Sequence, residues 1–203
     1  MKGNSRPKAA LAVLLAISLL ATGCTAQWIN VALADLPVLL QMALNIGSLV
    51  ATLQSGQQLS ASEAQAIQNI SAEASKDLNL LQTLYNQYQA NPTAGALQKI
   101  QSTVADINQN LPALLQAAHI GDPVLSARVG AAVNLILATV TSFTALIPQA
   151  SGMPTARTAA ATPIGKKTAI PQPRDLKKQW NQTVCGATGK AILDSAFSVC
   201  SLK

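Results

Sequence analysis

The side chains best able to do covalent chemistry in this 203-residue chain are three cysteines, Cys24, Cys185 and Cys200. A thiol can be acylated, joined in a disulfide or bound to a metal, depending on its surroundings. The chain has a single histidine, His119, so a multi-histidine metal site cannot form within it, and we expect no metal and no cofactor. The chemistry therefore depends on what surrounds the three thiols.

The segment before Cys24 is laid out as an export leader. It begins with three basic residues, Lys2, Arg6 and Lys8. An uncharged apolar run over 9–20 follows, too short to span a bilayer comfortably, and small residues come next. We predict a signal peptide over 1–23 and leave it out of the fold.

The end of the leader places an aliphatic residue and small residues directly before Cys24. This resembles the lipobox of bacterial lipoproteins, except that Leu20 lies one residue early and Ala21 takes its position. In that family the cysteine thiol is joined to diacylglycerol, the chain is cut before the cysteine, and the new amine is acylated, commonly with palmitate. The resemblance implies that Cys24 becomes the lipidated first residue and holds the protein on a membrane.

The same resemblance implies an address in the cell envelope. Thr25 follows the cysteine, so the acidic residue that retains many lipoproteins at the inner membrane is absent. We therefore expect a lipid anchor in the outer membrane, facing the periplasm or the cell surface. The alternative is an ordinary secreted protein cut after Ala26, or after Ala34, which lies far from the apolar run.

Once Cys24 is lipidated, Cys185 and Cys200 are the only cysteines left, and in an oxidising envelope they should pair. Closing a loop of this size stabilises by about 3 kcal/mol in the chain-entropy model. A redox-active pair would need closely spaced cysteines in a thioredoxin-like setting, which the sequence lacks. We predict a structural disulfide.

The remaining chain reads as all-α, with Ala, Leu and Gln prominent and aromatic residues at only 3%. Four long apolar periods with short connections predict an up-down-up-down four-helix bundle over 24–148. A Pro-rich linker over 149–173 and a disulfide-stapled helical hairpin over 174–203 complete the predicted organisation. The uncharged stretch 129–147 is a buried bundle helix or, less simply, a membrane span.

Particular side chains mark the predicted helix ends and faces. Ser60 with Glu63 forms a capping box, Asp122 caps the fourth helix, and we also assign caps to Asp35 and Asp175. In the third helix the inward seam consists of Leu97, Ile100, Val104, Ile107, Leu111, Leu114 and Ala118. We place Leu44 and Ile192 on inward faces as well, and Glu63, Glu73, Asp77 and Asp106 towards solvent.

Charge is divided along the chain, whose net charge is +6. Residues 24–150 carry three basic and six acidic residues, whereas 151–203 carry eight basic and two acidic. Because the basic tail lacks interleaved aromatics, we expect no nucleic acid partner. We expect anionic envelope polymers or lipid head groups to contact Lys166, Lys167, Arg174, Lys177 and Lys178, the alternative being a merely solvated linker.

The sequence contains no complete motif of a known enzyme class. Gly186–Lys190 resembles a fragment of a phosphate-binding loop, but its spacing is too short and Ala191 replaces the magnesium-binding hydroxyl. No Gly-x-Ser-x-Gly elbow exists. We therefore expect a non-enzymatic envelope lipoprotein, a structural or protein-binding module with an envelope protein as possible partner. The alternative is a carrier of a small apolar ligand or lipid inside the bundle.

Overall fold

The computed structural model describes residues 34–56, 59–146 and 172–203, and these form six helices and no strand. Helix α1 is described over Ala34–Ser55. It is followed by α2 (Ala61–Ala90), α3 (Ala94–Ala117), α4 (Pro123–Leu146), α5 (Pro173–Thr183) and α6 (Ala191–Ser198). The predicted all-α helical bundle is confirmed. Pro173, which we assigned to the linker, is instead the first residue of α5.

The predicted starts of two bundle helices, α2 and α4, are confirmed by their hydrogen bonds. Ser60 Oγ accepts from the Glu63 amide, and the Glu63 carboxylate accepts from the Ser60 amide, which completes the capping box of α2. Asp122 Oδ1 accepts from the amides of Val124 and Leu125 at 2.8 and 2.9 Å. These bonds satisfy amides that have no partner inside the helix, so the chain reverses where the sequence predicts.

The core of the bundle follows the seam that the sequence predicts in α3. Ile100, Val104, Ile107 and Leu111 of this helix are all buried in one continuous apolar cluster. In α1 the buried residues include Leu39, Met42 and Ile46. Leu44 is 49% exposed, so its assignment to the inward face is wrong.

Helices α1 and α2 approach closely at Gly47. A Cβ atom built on Gly47 would lie 2.6 Å from Ser71 Oγ, so a larger residue would push the two helices apart. The same Ser71 hydroxyl donates to the main-chain oxygen of Ala43 at 2.7 Å. A buried serine is thereby satisfied by the neighbouring helix, which fixes the contact between the two.

By length and composition alone, two of the described helices are apolar enough to cross a membrane. The segments are Ala34–Ser55 and Pro123–Phe143, with mean hydropathies of 1.7 and 1.6. About half of each, 50% and 44%, is buried inside the protein, as is common for core helices of soluble domains. Val129, Val133 and Ile136 of α4 lie in the core, which favours the buried-helix interpretation of this stretch.

Four further assignments of single residues are wrong. Asp35 lies inside α1 and is fully buried rather than capping the helix, and Asp77 of α2 is also buried. Asp175 lies in the first turn of α5, whose N-cap residue is Gln172. Ile192 of α6 is 55% exposed, because Leu193, Ala196 and Phe197 form the inward face of that short helix.

Candidate functional site

Cys185 and Cys200 form the predicted disulfide, which joins the segment after α5 to the segment after α6. Cys200 is buried, and its main-chain oxygen accepts from Trp180 Nε1 and from Asn45 Nδ2, both at 2.9 Å. One donor belongs to the hairpin and the other to α1. The staple is therefore also a point where the hairpin is fixed to the bundle.

The chain after the disulfide is held by a second polar pair. The side-chain amide of Asn181 donates to the main-chain oxygen of Leu202 at 2.9 Å and accepts from the Leu202 amide at 2.8 Å. Lys177 Nζ donates to the main-chain oxygen of Lys203 at 3.0 Å. The last described residues thus lie along α5.

Arg128 of α4 connects the bundle to the hairpin. Its guanidinium donates to the main-chain oxygen of Val184 at 2.8 Å and to that of Gly186, and it lies 4.2 Å from the centre of the Phe197 ring. Burial lowers the pKa of Arg128, and the nearby carboxylate of Asp194, 3.9 Å away, opposes that shift. We did not predict this role. The feature of the sequence that could have indicated this role is that Arg128 is the one charged residue in α4.

The loop that resembles a phosphate-binding fragment is filled by a side chain of the protein. Asp194 accepts from the amides of Thr188 and Gly189 at 2.6 and 3.0 Å, and from the Thr188 hydroxyl at 2.6 Å. These bonds lower the pKa of the Asp194 carboxyl, and the bond from the Thr188 hydroxyl has the largest effect. Because an internal carboxylate already occupies the amides, the loop is built as a turn within the hairpin.

A surface groove lies between α1 and the C-terminal segment. Its volume is about 470 Å³, and its lining includes Pro37, Val38, Gln41, Lys177, Val199 and Lys203. We call it the basic groove, because the charged residues in its lining are Lys177 and Lys203. Lys177 is therefore in the groove, while Arg174 and Lys178 are exposed on the same helix, α5. Cys24, Lys166 and Lys167 lie outside the described residues.

The interface between hairpin and bundle is packed. Between Ile46, Trp180 and Phe197 the free volume is about 10 Å³, which is near the space of one water molecule. A ligand of drug or lipid size needs several hundred cubic ångströms. This interface is therefore closed to such a ligand.

The remaining chemical groups serve the fold. Glu63 Oε1 accepts from the Gly121 amide at 2.6 Å, in addition to its role in the capping box, and these bonds lower its pKa, with the Ser60 hydroxyl as the main cause. His119 Nδ1 lies 2.8 Å from the main-chain oxygen of Ala117 at the end of α3. Within the described ranges, no three His, Cys, Asp or Glu side chains come together as metal ligands would.

Comparison of the chain with protein-family models, with curated proteins and with solved structures finds no match. The residues that bear on function are thus those of the chain itself: the predicted leader with Cys24, the stapled hairpin, and the basic groove.

Proposed function

We propose that this protein is a non-enzymatic, lipid-anchored protein of the bacterial cell envelope, attached through diacylglycerol on Cys24. Its bundle and stapled hairpin would form a rigid structural or protein-interaction module beside the membrane. The proposed address is the outer membrane, on the periplasmic or the exterior face.

The observation that carries this proposal is the pairing of the cysteines. Cys185 and Cys200 use two of the three thiols, so Cys24 has no cysteine partner left in the chain. A structural disulfide is also typical of an oxidising compartment outside the cytoplasm, which agrees with an export leader. A lone cysteine directly after an apolar run and small residues is suited to lipidation.

The module role is supported by how the polar side chains are used. Arg128, Asp194 and Glu63 all bond to main-chain groups that close turns or hold the hairpin, which leaves them unsuited to proton transfer. A carrier would need an internal cavity, and the closed interface beneath Trp180 offers none at that place.

The anchor is tested by expressing Cys24→Ser and the matched Cys185→Ser in the presence of a labelled fatty acid. Cys24→Ser should lose the label completely and keep an unprocessed leader by mass, whereas Cys185→Ser should be labelled like the natural chain. Equal labelling of the Cys24→Ser chain would overturn the lipid anchor.

Crosslinking in cells from exposed positions of α2 and α3 then tests the module role. A reproducible protein partner supports it, and co-purified lipid would favour the carrier.

A further inference from the structure

The basic groove lies at the start of the described part of α1, the part of the bundle that is closest to Cys24 in sequence. Pro37 and Val38, near the start of the described part of α1, form one wall, and Lys177 and Lys203 form the other. Ala34 follows Cys24 by only ten positions. A fully extended chain advances at most about 3.6 Å per residue, so a lipidated Cys24 holds this end of α1 within about 35 Å of the bilayer.

The charges of α5 are concentrated at that same end. Leu176 and Trp180 are buried against the bundle, while Arg174 and Lys178 are exposed and Lys177 is half-buried, with Asp175 as the one acid in the helix. Of the two other described cations of the hairpin, Lys203 lines the basic groove, and Lys190 lies near the start of α4, where it pairs with Asp122 at 3.1 Å. Arg174, Lys177 and Lys178 have no such carboxylate partner among the described residues. Their positive charge therefore lies near the start of the described part of α1.

An apolar side chain accompanies these cations. Val199 lines the basic groove and is 63% exposed. Basic residues beside exposed apolar ones are typical of surfaces that rest in the head-group region of a membrane, where phosphate and the upper acyl chain are both within reach.

We propose that the basic groove and the exposed side of α5 form the surface that lies on anionic phospholipid head groups, with Arg174, Lys177, Lys178 and Lys203 facing the phosphates. This inference rests on the proposed lipid anchor. It gives the anchored protein a fixed orientation, in which the basic groove is turned towards the bilayer.

The test is lysine footprinting of the whole lipidated protein in vesicles. The protein is reconstituted into phosphatidylcholine vesicles with or without phosphatidylglycerol and is pulsed with an impermeant acetylating reagent. At low salt, acetylation of Lys178 and Lys203 should fall about fivefold in the anionic vesicles, since a basic residue near such a surface gains about that factor. High salt should restore it. Lys76 and Lys190 are internal controls and should not change.

A double variant sharpens the test. Lys177→Gln with Lys178→Gln should abolish the salt-dependent protection of Lys203, whereas the matched Lys76→Gln should preserve it. Equal acetylation in both vesicles, or equal protection of Lys76, would overturn the orientation while the anchor stands. Protection by a soluble anionic polymer but not by vesicles would assign the surface to a polymer and overturn the lipid assignment. Failure to sediment with either vesicle would overturn the anchor and this inference together.

Discussion

The four helices of the bundle contain 22 to 30 residues, whereas the two helices of the hairpin contain 11 and 8. Helices shorter than about 12 residues are marginal by themselves in water. The bundle helices bury continuous apolar seams against each other. The hairpin instead relies on a disulfide, on the buried arginine Arg128, and on Trp180 and Phe197, which extend the bundle's own core.

This difference shows that the hairpin depends on the bundle more than the reverse. From sequence we predicted a linker between the bundle and the hairpin, and the inward side chains of the hairpin join the same apolar cluster as those of α1 and α4. The exact division into a bundle over 24–148, a linker over 149–173 and a hairpin over 174–203 stays a prediction. Because the hairpin packs on the bundle, a change in the bundle should lower the stability of both regions. A change at their interface should lower the stability of the hairpin first.

The largest effect is expected from a charge placed in the bundle seam. Ile107 is fully buried in α3, so Ile107→Asp would bury an unpaired carboxylate at a cost of roughly 4 kcal/mol or more. That is a large part of a typical domain's stability, and bundle and hairpin should unfold together. Circular dichroism during urea denaturation measures this loss in the free energy of unfolding. Gln109→Asp, at an exposed position of the same helix, should be nearly silent. Similar tolerance at both sites would contradict the seam.

Removing the disulfide should weaken the hairpin while the bundle stays helical. The bond closes a sequence separation of 15 residues, for which loop entropy predicts about 3 kcal/mol. Reduction of the natural protein should make 172–203 sensitive to protease, as followed by mass spectrometry. The double variant Cys185→Ala with Cys200→Ala should already be sensitive without reductant. A hairpin that resists protease after reduction would mean that docking alone holds it.

Replacing the arginine between the two regions should have a smaller effect on the same observable. Arg128→Met leaves the main-chain oxygens of Val184 and Gly186 without their donor, which costs about 2 kcal/mol. The hairpin should become more sensitive to protease at unchanged bundle helicity. Lys190→Met is the matched control, because its pair with Asp122 is exposed and contributes less than about 1 kcal/mol. The prediction is wrong if the two variants behave alike.

The smallest effect concerns a polar group within the bundle itself. Desolvation raises the pKa of buried Asp35 from 3.8 to about 6, and its carboxyl makes no hydrogen bond in the described part of the chain. The folded state then holds the proton more tightly than the unfolded state. The contribution of Asp35 to stability is therefore greatest below about pH 4 and falls as the pH rises through 6.

The expected loss is about 1 to 2 kcal/mol between pH 4 and pH 8, which Asp35→Asn should remove. Denaturation of both proteins at the two pH values measures the difference between them. Asp106→Asn, at an exposed position, should keep the decline of the natural protein. A decline that is the same with and without Asp35 would show that this carboxyl does not titrate as proposed.

Local features of the chain were enough to predict the helices and the starts of α2 and α4. The capping box at Ser60, the cap at Asp122 and the seam through Ile107 depend on residues within a few positions of each other. The disulfide followed from counting cysteines. The assignments that failed at Leu44, Asp77 and Ile192 concern which side of a helix is covered by a distant part of the chain, and those at Asp35 and Asp175 concern which residue caps a helix.

The sequence by itself determined where the helices lie, where α2 and α4 begin and which thiols pair, because turns, caps and periodicity act between neighbours. Only the tertiary structure decided that Arg128 holds a hairpin 58 residues away and that Asp194 fills the loop at Gly189. It also brought Lys177 beside Pro37 in the basic groove. Burial and charge pairing are properties of the packed assembly of helices, so no local pattern specifies them.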